Sequence, residues 1–297
     1  MQNNSQLNFI HKSILSLLNI KSKMKKRLKR LIDKKRIGSF EFRMKINALE
    51  RMNYAYICYN AAKLAKKLDY DRISVIEYGV AAGRGLLVLE EYAEEIKKLL
   101  NIKIDIYGFD LGTGLPKPKD YRDLPYHWKE GFYSMNEQNV RSILKHANLI
   151  IGNIESTSKD FFSKYNPAPI GAIIHDFDLY SSTKIALSML KADTKFFLPR
   201  VYCYFDDTIG AEIELYNDFT GERLAINEFN SQNEIDKLNL GNHMIHSMFG
   251  VKGNSQFVLN QISRVKIVEV FDSTATAIIY KPRNPHSNME IGDYILY

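Results

Sequence analysis

The sequence predicts a doubly wound α/β domain with a mostly parallel sheet, preceded by a helical extension. Residues 73–79 form an apolar, β-branched run that ends in glycine, and residues 86–100 repeat apolar side chains at helical spacing, as in a strand, loop and helix. Later apolar runs at residues 147–152, 170–175 and 197–205 are typical of buried parallel strands, and residues 102–110 alternate as a strand that ends in an acid. At 297 residues the chain can bury one large core.

Residues 1–36 hold most of the positive charge. They contain eleven Lys or Arg and one acid, Asp33, a local charge of +10, whereas the whole chain carries +7 and the remainder therefore −3. Apolar residues recur there at spacings of three and four, which predicts one or two amphipathic helices. The second would carry the Lys and Arg residues of 21–36 on its polar face. Such a helix suits packing on the domain or on a second subunit of a homo-oligomer, peripheral membrane contact through residues 21–36, or a lid. No nucleic-acid partner is expected, because aromatic residues do not interleave with the basic ones.

The cysteine content and hydropathy predict a cytoplasmic protein. Cys58 and Cys203 are too few for a disulfide framework or a thiolate zinc site, which fits a reducing compartment. No apolar run approaches the ~18 residues of a membrane span. The apolar segment 14–20 precedes the basic cluster, which is the wrong order for a secretory signal.

The loop after the first predicted strand is rich in glycine. Residues 77–85 read Glu-Tyr-Gly-Val-Ala-Ala-Gly-Arg-Gly, placed where backbone N–H groups and a helix dipole meet a polar or anionic ligand. The third glycine of a dinucleotide fingerprint is missing, and so is the Gly-Lys-Ser/Thr of a P-loop. The spacing Glu-x-Gly-x-x-x-Gly-x-Gly resembles the first motif of class I S-adenosylmethionine-dependent methyltransferases. An ordinary βα turn is the alternative.

This resemblance implies a site for S-adenosylmethionine. In the family, the acid of the motif meets the methionine part of the cofactor and the glycines wrap it. The corresponding residues here are Glu77, Gly79, Ala81, Gly83 and Gly85. Tyr54 or Tyr56, on a helix predicted over residues 46–68, could contact the cofactor, although a structural tyrosine is the alternative. Asp110 ends the second strand, where a carboxylate can accept hydrogen bonds from both ribose hydroxyls.

Three further stretches resemble the macrocin-type sugar O-methyltransferases. Residues 111–116 (Leu-Gly-Thr-Gly-Leu-Pro) are similar to the segment that follows the ribose-binding acid there. Residues 170–183 run from a strand into Asp-Phe-Asp-Leu-Tyr-Ser-Ser-Thr, and residues 197–207 from a strand into Asp-Asp. The resemblance spans roughly residues 70–210. The chain departs from the family at Phe177, and it departs again at residues 199–201, which read Pro-Gly-Gly in the family.

The two acidic stretches predict a metal site. Acids that end neighbouring parallel strands meet at one sheet edge, where like charges are costly without a cation. Mg²⁺ prefers such oxygen ligands. The resemblance implies the metal ligands Asp176, Asp206 and Asp207, and the adenine contacts Asn153 and Ile154. The candidate base is Asp176, with His175 as its rival.

We therefore expect an S-adenosylmethionine-dependent, divalent-metal-assisted O-methyltransferase that acts on a hydroxyl of a sugar or glycosylated substrate. The resemblance implies a seven-stranded, Rossmann-like methyltransferase sheet, with the last strands at residues 265–270 and 275–280. The domains would be a basic helical extension (1–45), the methyltransferase domain (46–281) and a C-terminal tail (282–297). Two alternatives remain open: a metal-dependent glycosyltransferase that uses Asp176 and Asp178, and a non-catalytic methyltransferase-like scaffold.

Three further expectations concern less regular parts of the chain. Residues 115–136 predict a long binding loop, in which Trp128 either stacks on a sugar or packs the loop onto the domain. Residues 181–183 (Ser-Ser-Thr) are expected to cap a helix over 184–191. His243 and His246 are expected at a substrate contact or on the surface.

Overall fold

The computed structural model describes most of the predicted domain. The described residues are 22–208, 217–232, 269–271 and 274–280, the last two ranges by their backbone. The predictions for residues 1–21, for His243 and His246 and for the tail 282–297 fall outside them. Among the helices in these ranges, none combines the length and the apolar character that crossing a bilayer requires.

A sheet whose first five strands are parallel forms the centre of the fold. The strands are β1 (Arg72–Tyr78), β2 (Lys103–Asp110), β3 (Asn148–Ile151), β4 (Ile170–His175) and β5 (Phe197–Phe205). Their order is β3-β2-β1-β4-β5, so the direction of winding reverses between β1 and β4. Beyond β5, β7 (Thr274–Tyr280) and then β6 (Glu269–Phe271) pair antiparallel. The predicted parallel α/β class is confirmed.

Helices cover both faces of this sheet. They are α1 (Ser22–Lys34), α2 (Phe40–Lys45), α3 (Met52–Lys67), α4 (Arg84–Leu100), α5 (Glu137–Ile143), α6 (Ile154–Tyr165), α7 (Tyr180–Ser188) and α8 (Gly221–Gln232). Ile73 and Val75 of β1 belong to the core under α3 and α4, whereas Ile76 and Tyr78 belong to the core under α6, α7 and α8. Side chains alternate along a strand, so Glu77 points towards α3 and α4.

Two helices begin at residues other than those predicted. α3 begins at Met52 and not near residue 46, because Asn47 and Arg51 have positive φ angles of 52° and 46°. α7 begins at Tyr180, so the predicted Ser-Ser-Thr cap is wrong: these residues form the first turn of the helix. The extended N-cap position directly after Asp178 (φ 59°) is occupied by Leu179 (φ −97°, ψ 135°), so the three residues lie inside the helix.

Backbone hydrogen bonds hold the residues that follow the strands at one level. Gly79 N–H donates to Phe109 O (2.9 Å), Asp176 N–H to Tyr78 O (3.0 Å) and Asp206 N–H to His175 O (2.9 Å). The sheet therefore continues for one residue beyond β1, β4 and β5. The loops that leave this carboxyl edge start side by side.

Candidate active site

One cavity of about 490 Å³ lies over the carboxyl edge of the sheet, where the winding reverses between β1 and β4. Open α/β sheets bind their ligands at this position. Residues that follow each of the five parallel strands line it: Gly79, Ala81, Asp110, Leu111, Gly152, Asn153, Ile154, Asp176, Phe177, Asp178, Asp206 and Asp207. Arg51, the loop of residues 114–133 and the start of α7 complete the wall.

Gly79 brings the glycine loop against the end of β4. Its φ is +84°, and a Cβ added there would lie 1.8 Å from the Asp176 carbonyl oxygen. Gly83 and Gly85 pack beneath the loop: an added Cβ would lie 2.9 Å from Val140 Cγ1 or 1.7 Å from Glu77 Oε1, respectively. Of the predicted loop residues, Gly79 and Ala81 line the cavity.

Glu77 and Tyr54 support the loop from below. Both are fully buried and neither belongs to the cavity wall. The Tyr54 hydroxyl donates to Glu77 Oε1 (2.8 Å), and Arg51 Nη1 donates to the Tyr54 oxygen (3.0 Å). Burial raises the pKa of the Glu77 carboxyl to about 7, against the opposing effects of the Tyr54 hydrogen bond and the Arg51 charge. The predicted contacts of Glu77 and Tyr54 with a cofactor stay predictions.

Asp110 lies at the end of β2 and lines the cavity, and its role as a ribose ligand stays a prediction. Its Oδ2 accepts from the N–H groups of Val80 and Ala81 (both 2.9 Å), and its Oδ1 accepts from Gly112 N–H (2.6 Å). A carboxylate offers about four lone-pair sites. Three are used by the loops after β1 and β2, so Asp110 also fixes these loops to each other.

Asn153 and Ile154 follow β3 and both line the cavity. Asn153 is the N-cap of α6, and its side-chain oxygen accepts from Glu155 N–H (2.8 Å). The cap fixes the start of α6. Ile154 therefore presents an apolar side chain to the cavity, and Asp110 lies between it and the glycine loop.

Three aspartates form a cluster on the opposite side of the cavity. Asp176, Asp206 and Asp207 each offer a carboxylate oxygen, and these oxygens lie within 4.8 Å of one another. Burial raises the pKa of Asp176 well above its usual range, and the neighbouring Asp206 and Asp207 raise it further. The predicted convergence of acids from β4 and β5 is thus present in the structure, and its carboxylates have the spacing to share one divalent cation.

Asp178 and Glu222 surround this cluster. Asp178 N–H donates to Asp207 Oδ2 (3.2 Å), and Asp207 N–H donates to Glu222 Oε2 (3.0 Å). Burial and the nearby Asp207 raise the pKa of Asp178 to about 9 and that of the fully buried Glu222 well above its usual range. Glu222 comes from α8, and no local sequence signal marks it for this role.

Arg51 is a cation at the edge of the acidic cluster. Its Nη1 lies 3.9 Å from Asp176 Oδ2, and its guanidinium stacks over the Tyr54 ring at 4.9 Å. Through Tyr54 the same side chain reaches Glu77, under the glycine loop. Arg51 therefore connects the two sides of the cavity.

His175 has no access to the cavity. Its ring is fully buried and stacks on Phe205 at 4.3 Å, with an interplanar angle of 8°. Neither ring nitrogen has a hydrogen-bond partner within the part of the chain that the structure describes. Burial lowers the pKa of His175 to about 3. The imidazole is neutral and packs as a core residue.

The loop of residues 115–136 closes the cavity with aromatic residues. Trp128 is buried against Leu124, Leu179 and Leu115 while also lining the cavity. Phe132 and Tyr133 line the cavity as well, with exposed fractions of 44% and 56%. Packing of the loop onto the domain is thus the main role of Trp128, and the more accessible rings lie at the cavity mouth.

No protein-family model and no curated protein matches this sequence. Among solved structures, the chain is similar to CalS11, a calicheamicin methyltransferase (16% identity over 78% of this chain and 87% of that chain, TM-score 0.46). It is also similar to the plantazolicin methyltransferase BamL (13% identity over 82% of this chain and 89% of that chain, TM-score 0.40). A third similar structure is the O-methyltransferase TomG from Streptomyces achromogenes (10% identity over 75% of this chain and 79% of that chain, TM-score 0.40).

All three similarities are distant, with identities of 16%, 13% and 10%. The cavity of this chain combines a glycine loop and the carboxylate of Asp110 on one side with three clustered aspartates on the other. This cavity lies at the edge of a sheet whose five parallel strands, in the order β3-β2-β1-β4-β5, stand between two helix layers.

Proposed function

We propose that this chain is an S-adenosylmethionine-dependent O-methyltransferase that binds a divalent cation such as Mg²⁺ and methylates a hydroxyl of a sugar or glycosylated substrate. One observation carries the proposal: a single cavity has the glycine loop and Asp110 in one wall and the aspartate cluster in the other. The antiparallel pairing of β7 with β5 supports the further proposal that the sheet is the seven-stranded sheet of this class.

The cofactor side of the cavity fits a nucleoside with a small charged tail. Asp110 has the position to accept hydrogen bonds from ribose hydroxyls, and Ile154 offers apolar contact for a base. Gly79 and Ala81 leave room for the ligand to approach the backbone. Glu77, Gly83 and Gly85 pack below this loop, so we propose that they hold it in shape.

The other side of the cavity fits a hard cation. Asp176, Asp206 and Asp207 supply only oxygen ligands, and the burial that raises the pKa of Asp176 would be offset by a bound positive charge. When bound there, Mg²⁺ would lower the pKa of an acceptor hydroxyl. Glu222 and Asp178 hold Asp207 in place through backbone hydrogen bonds.

In the proposed reaction the acceptor oxygen forms a bond to the methyl carbon as the carbon–sulfur bond breaks. The hydroxyl proton passes to a carboxylate in the cavity wall, for which Asp176 remains the candidate. His175 is removed from the proposal, because its ring is buried away from the cavity. Gly79 keeps the loop in contact with Asp176, which supports methyl transfer over a short distance.

The aromatic residues at the cavity mouth support a carbohydrate acceptor. Phe132 and Tyr133 are partly exposed there, and flat rings can pack against the apolar faces of a sugar. Tyr133 has a positive φ of 61°, which is costly for a bulky residue. Strain of this kind is concentrated at ligand sites, in agreement with a binding role for this segment.

The test is methyl transfer from labelled S-adenosylmethionine to a panel of sugars, with Mg²⁺ or with EDTA. We expect transfer only with the cation, and we expect Asp176→Asn to abolish turnover while binding of S-adenosylmethionine by calorimetry stays largely intact. Asp160→Asn, at an exposed position of α6, is the matched control. Full activity of Asp176→Asn would remove Asp176 from the reaction.

Calorimetry tests the first alternative, and the transfer assay tests the second. A glycosyltransferase that uses Asp176 and Asp178 would bind a nucleotide-sugar and not S-adenosylmethionine. A non-catalytic scaffold would bind the cofactor without any metal-dependent transfer to the panel. Either result would refute the proposed activity.

A further inference from the structure

The outer face of α1, defined by Met24, Arg27, Arg30, Leu31 and Lys34, combines strong positive charge with exposed apolar side chains. The helix carries seven Lys or Arg and a single Asp. Met24 and Leu31 are 57% and 50% exposed, although both are large apolar residues. They lie seven residues apart, and Arg27 and Lys34 follow each of them by three, so all four share one side of the helix.

The opposite side of α1 is fixed to the domain. Ile32 is 1% exposed and packs in a cluster with Phe42, Ile46 and Ala48. Asp33 accepts from Arg43 Nη1 (2.9 Å) and from Glu50 N–H (3.0 Å). The helix is therefore held in one orientation, and its outer face is presented to solvent in a defined direction.

We propose that the outer face of α1 binds the surface of a bilayer that contains anionic phospholipid. A helix that lies in a membrane interface needs cations for the headgroups and apolar side chains for the acyl boundary on the same side. The outer face has both, and its charge is complementary to an anionic leaflet. The inference does not depend on the proposed methyl transfer.

Two other partners fit this face less well. Nucleic-acid surfaces that bind single strands combine cations with aromatic rings, and none of the 13 residues of α1 is aromatic. In a symmetric dimer through this face, α1 would meet a copy of itself, and the like charges of the two helices would repel. A lipid surface uses the cations and the two apolar side chains together.

The test is co-sedimentation of the full-length protein with vesicles of phosphatidylcholine, alone or mixed with phosphatidylglycerol. We expect binding to the mixed vesicles only. Each Lys or Arg near an anionic surface contributes roughly fivefold to partitioning, so Arg27→Gln/Arg30→Gln/Lys34→Gln should bind roughly 100-fold more weakly. Met24→Gln/Leu31→Gln keeps the charge and should lose roughly tenfold, most clearly at high salt, where electrostatic attraction is screened.

The matched control is Lys66→Gln/Lys97→Gln/Lys98→Gln, which removes three exposed cations from α3 and α4. It should bind the mixed vesicles like the wild type, and unchanged far-ultraviolet circular dichroism will show that all variants fold. Equal loss in the control, no binding of the wild type, or equal binding to both kinds of vesicle would overturn the proposal. So would tight binding of an RNA or DNA duplex that vesicles fail to displace, or a dimer that Met24→Gln/Leu31→Gln converts to monomer.

Discussion

The contact of Gly79 with Asp176 can be tested by one added methyl group. Gly79→Ala places a Cβ 1.8 Å from the Asp176 carbonyl oxygen at a φ of +84°. Gly131 has nearly the same φ, +80°, but nothing lies within 4 Å of an added Cβ there. The two alanine variants therefore share the backbone strain and differ in the clash.

The magnitude follows from these two terms. The left-handed conformation costs an alanine about 1–2 kcal/mol, and Gly131→Ala should lose that amount of unfolding free energy. Overpacking costs about 1–3 kcal/mol more, so Gly79→Ala should lose about 2–5 kcal/mol. Urea unfolding followed by circular dichroism measures both. Calorimetry should also show weaker S-adenosylmethionine binding for Gly79→Ala, because relief of the clash moves the glycine loop away from Asp176.

Equal destabilisation of the two variants would show that the Gly79 contact is not tight. Unchanged cofactor affinity in a destabilised Gly79→Ala would show that the loop position does not determine binding. Either result would refute the reasoning that connects Gly79 to the site.

Two further predictions concern the buried carboxyls. Burial raises the pKa of Glu77 from 4.5 to about 7, so the folded state binds the extra proton and stability falls as pH rises between these values. Glu77→Gln should remove about 2.5 kcal/mol of this fall between pH 5 and pH 8 in urea unfolding, and Glu94→Gln, an exposed control on α4, should leave it unchanged. In the aspartate cluster, Mg²⁺ at about 100 times its Kd should stabilise the wild type by about 2.7 kcal/mol. Asp206→Asn should abolish this effect and Asp160→Asn should retain it; stabilisation of Asp206→Asn equal to the wild type would place the cation elsewhere.

The aspartate cluster could be predicted because its signal is local. An apolar run followed by an acid marks the end of a buried strand, and parallel strands bring such ends to one edge. The backbone hydrogen bonds of Asp176 and Asp206 to β1 and β4 show how this works: each residue continues the ladder by one position before its side chain enters the cavity. Asp110 could be predicted for the same reason.

The supporting residues could not be predicted in this way. Glu222 reaches Asp207 from α8, which packs against α7, and this tertiary contact leaves no trace in the spacing of residues. The start of α7 depends on Asp178, which adopts a left-handed conformation that Asp tolerates better than most residues. Ser181 to Thr183 could cap a helix in isolation, but the extended cap position is occupied by Leu179. His175 is a similar case, since its burial against Phe205 is decided by β5.

The cost of this arrangement is itself an argument that the acidic cluster serves a function. Asp176, Asp178 and Glu222 all have raised pKa values, so each destabilises the folded chain as pH rises towards neutrality. Hydrophobic residues of similar volume would pack this region without that penalty. The described contacts supply one nearby cation, Arg51, at 3.9 Å from Asp176, and its guanidinium also serves Tyr54. Carboxyls gathered at this cost beside a cavity support the proposed cation site.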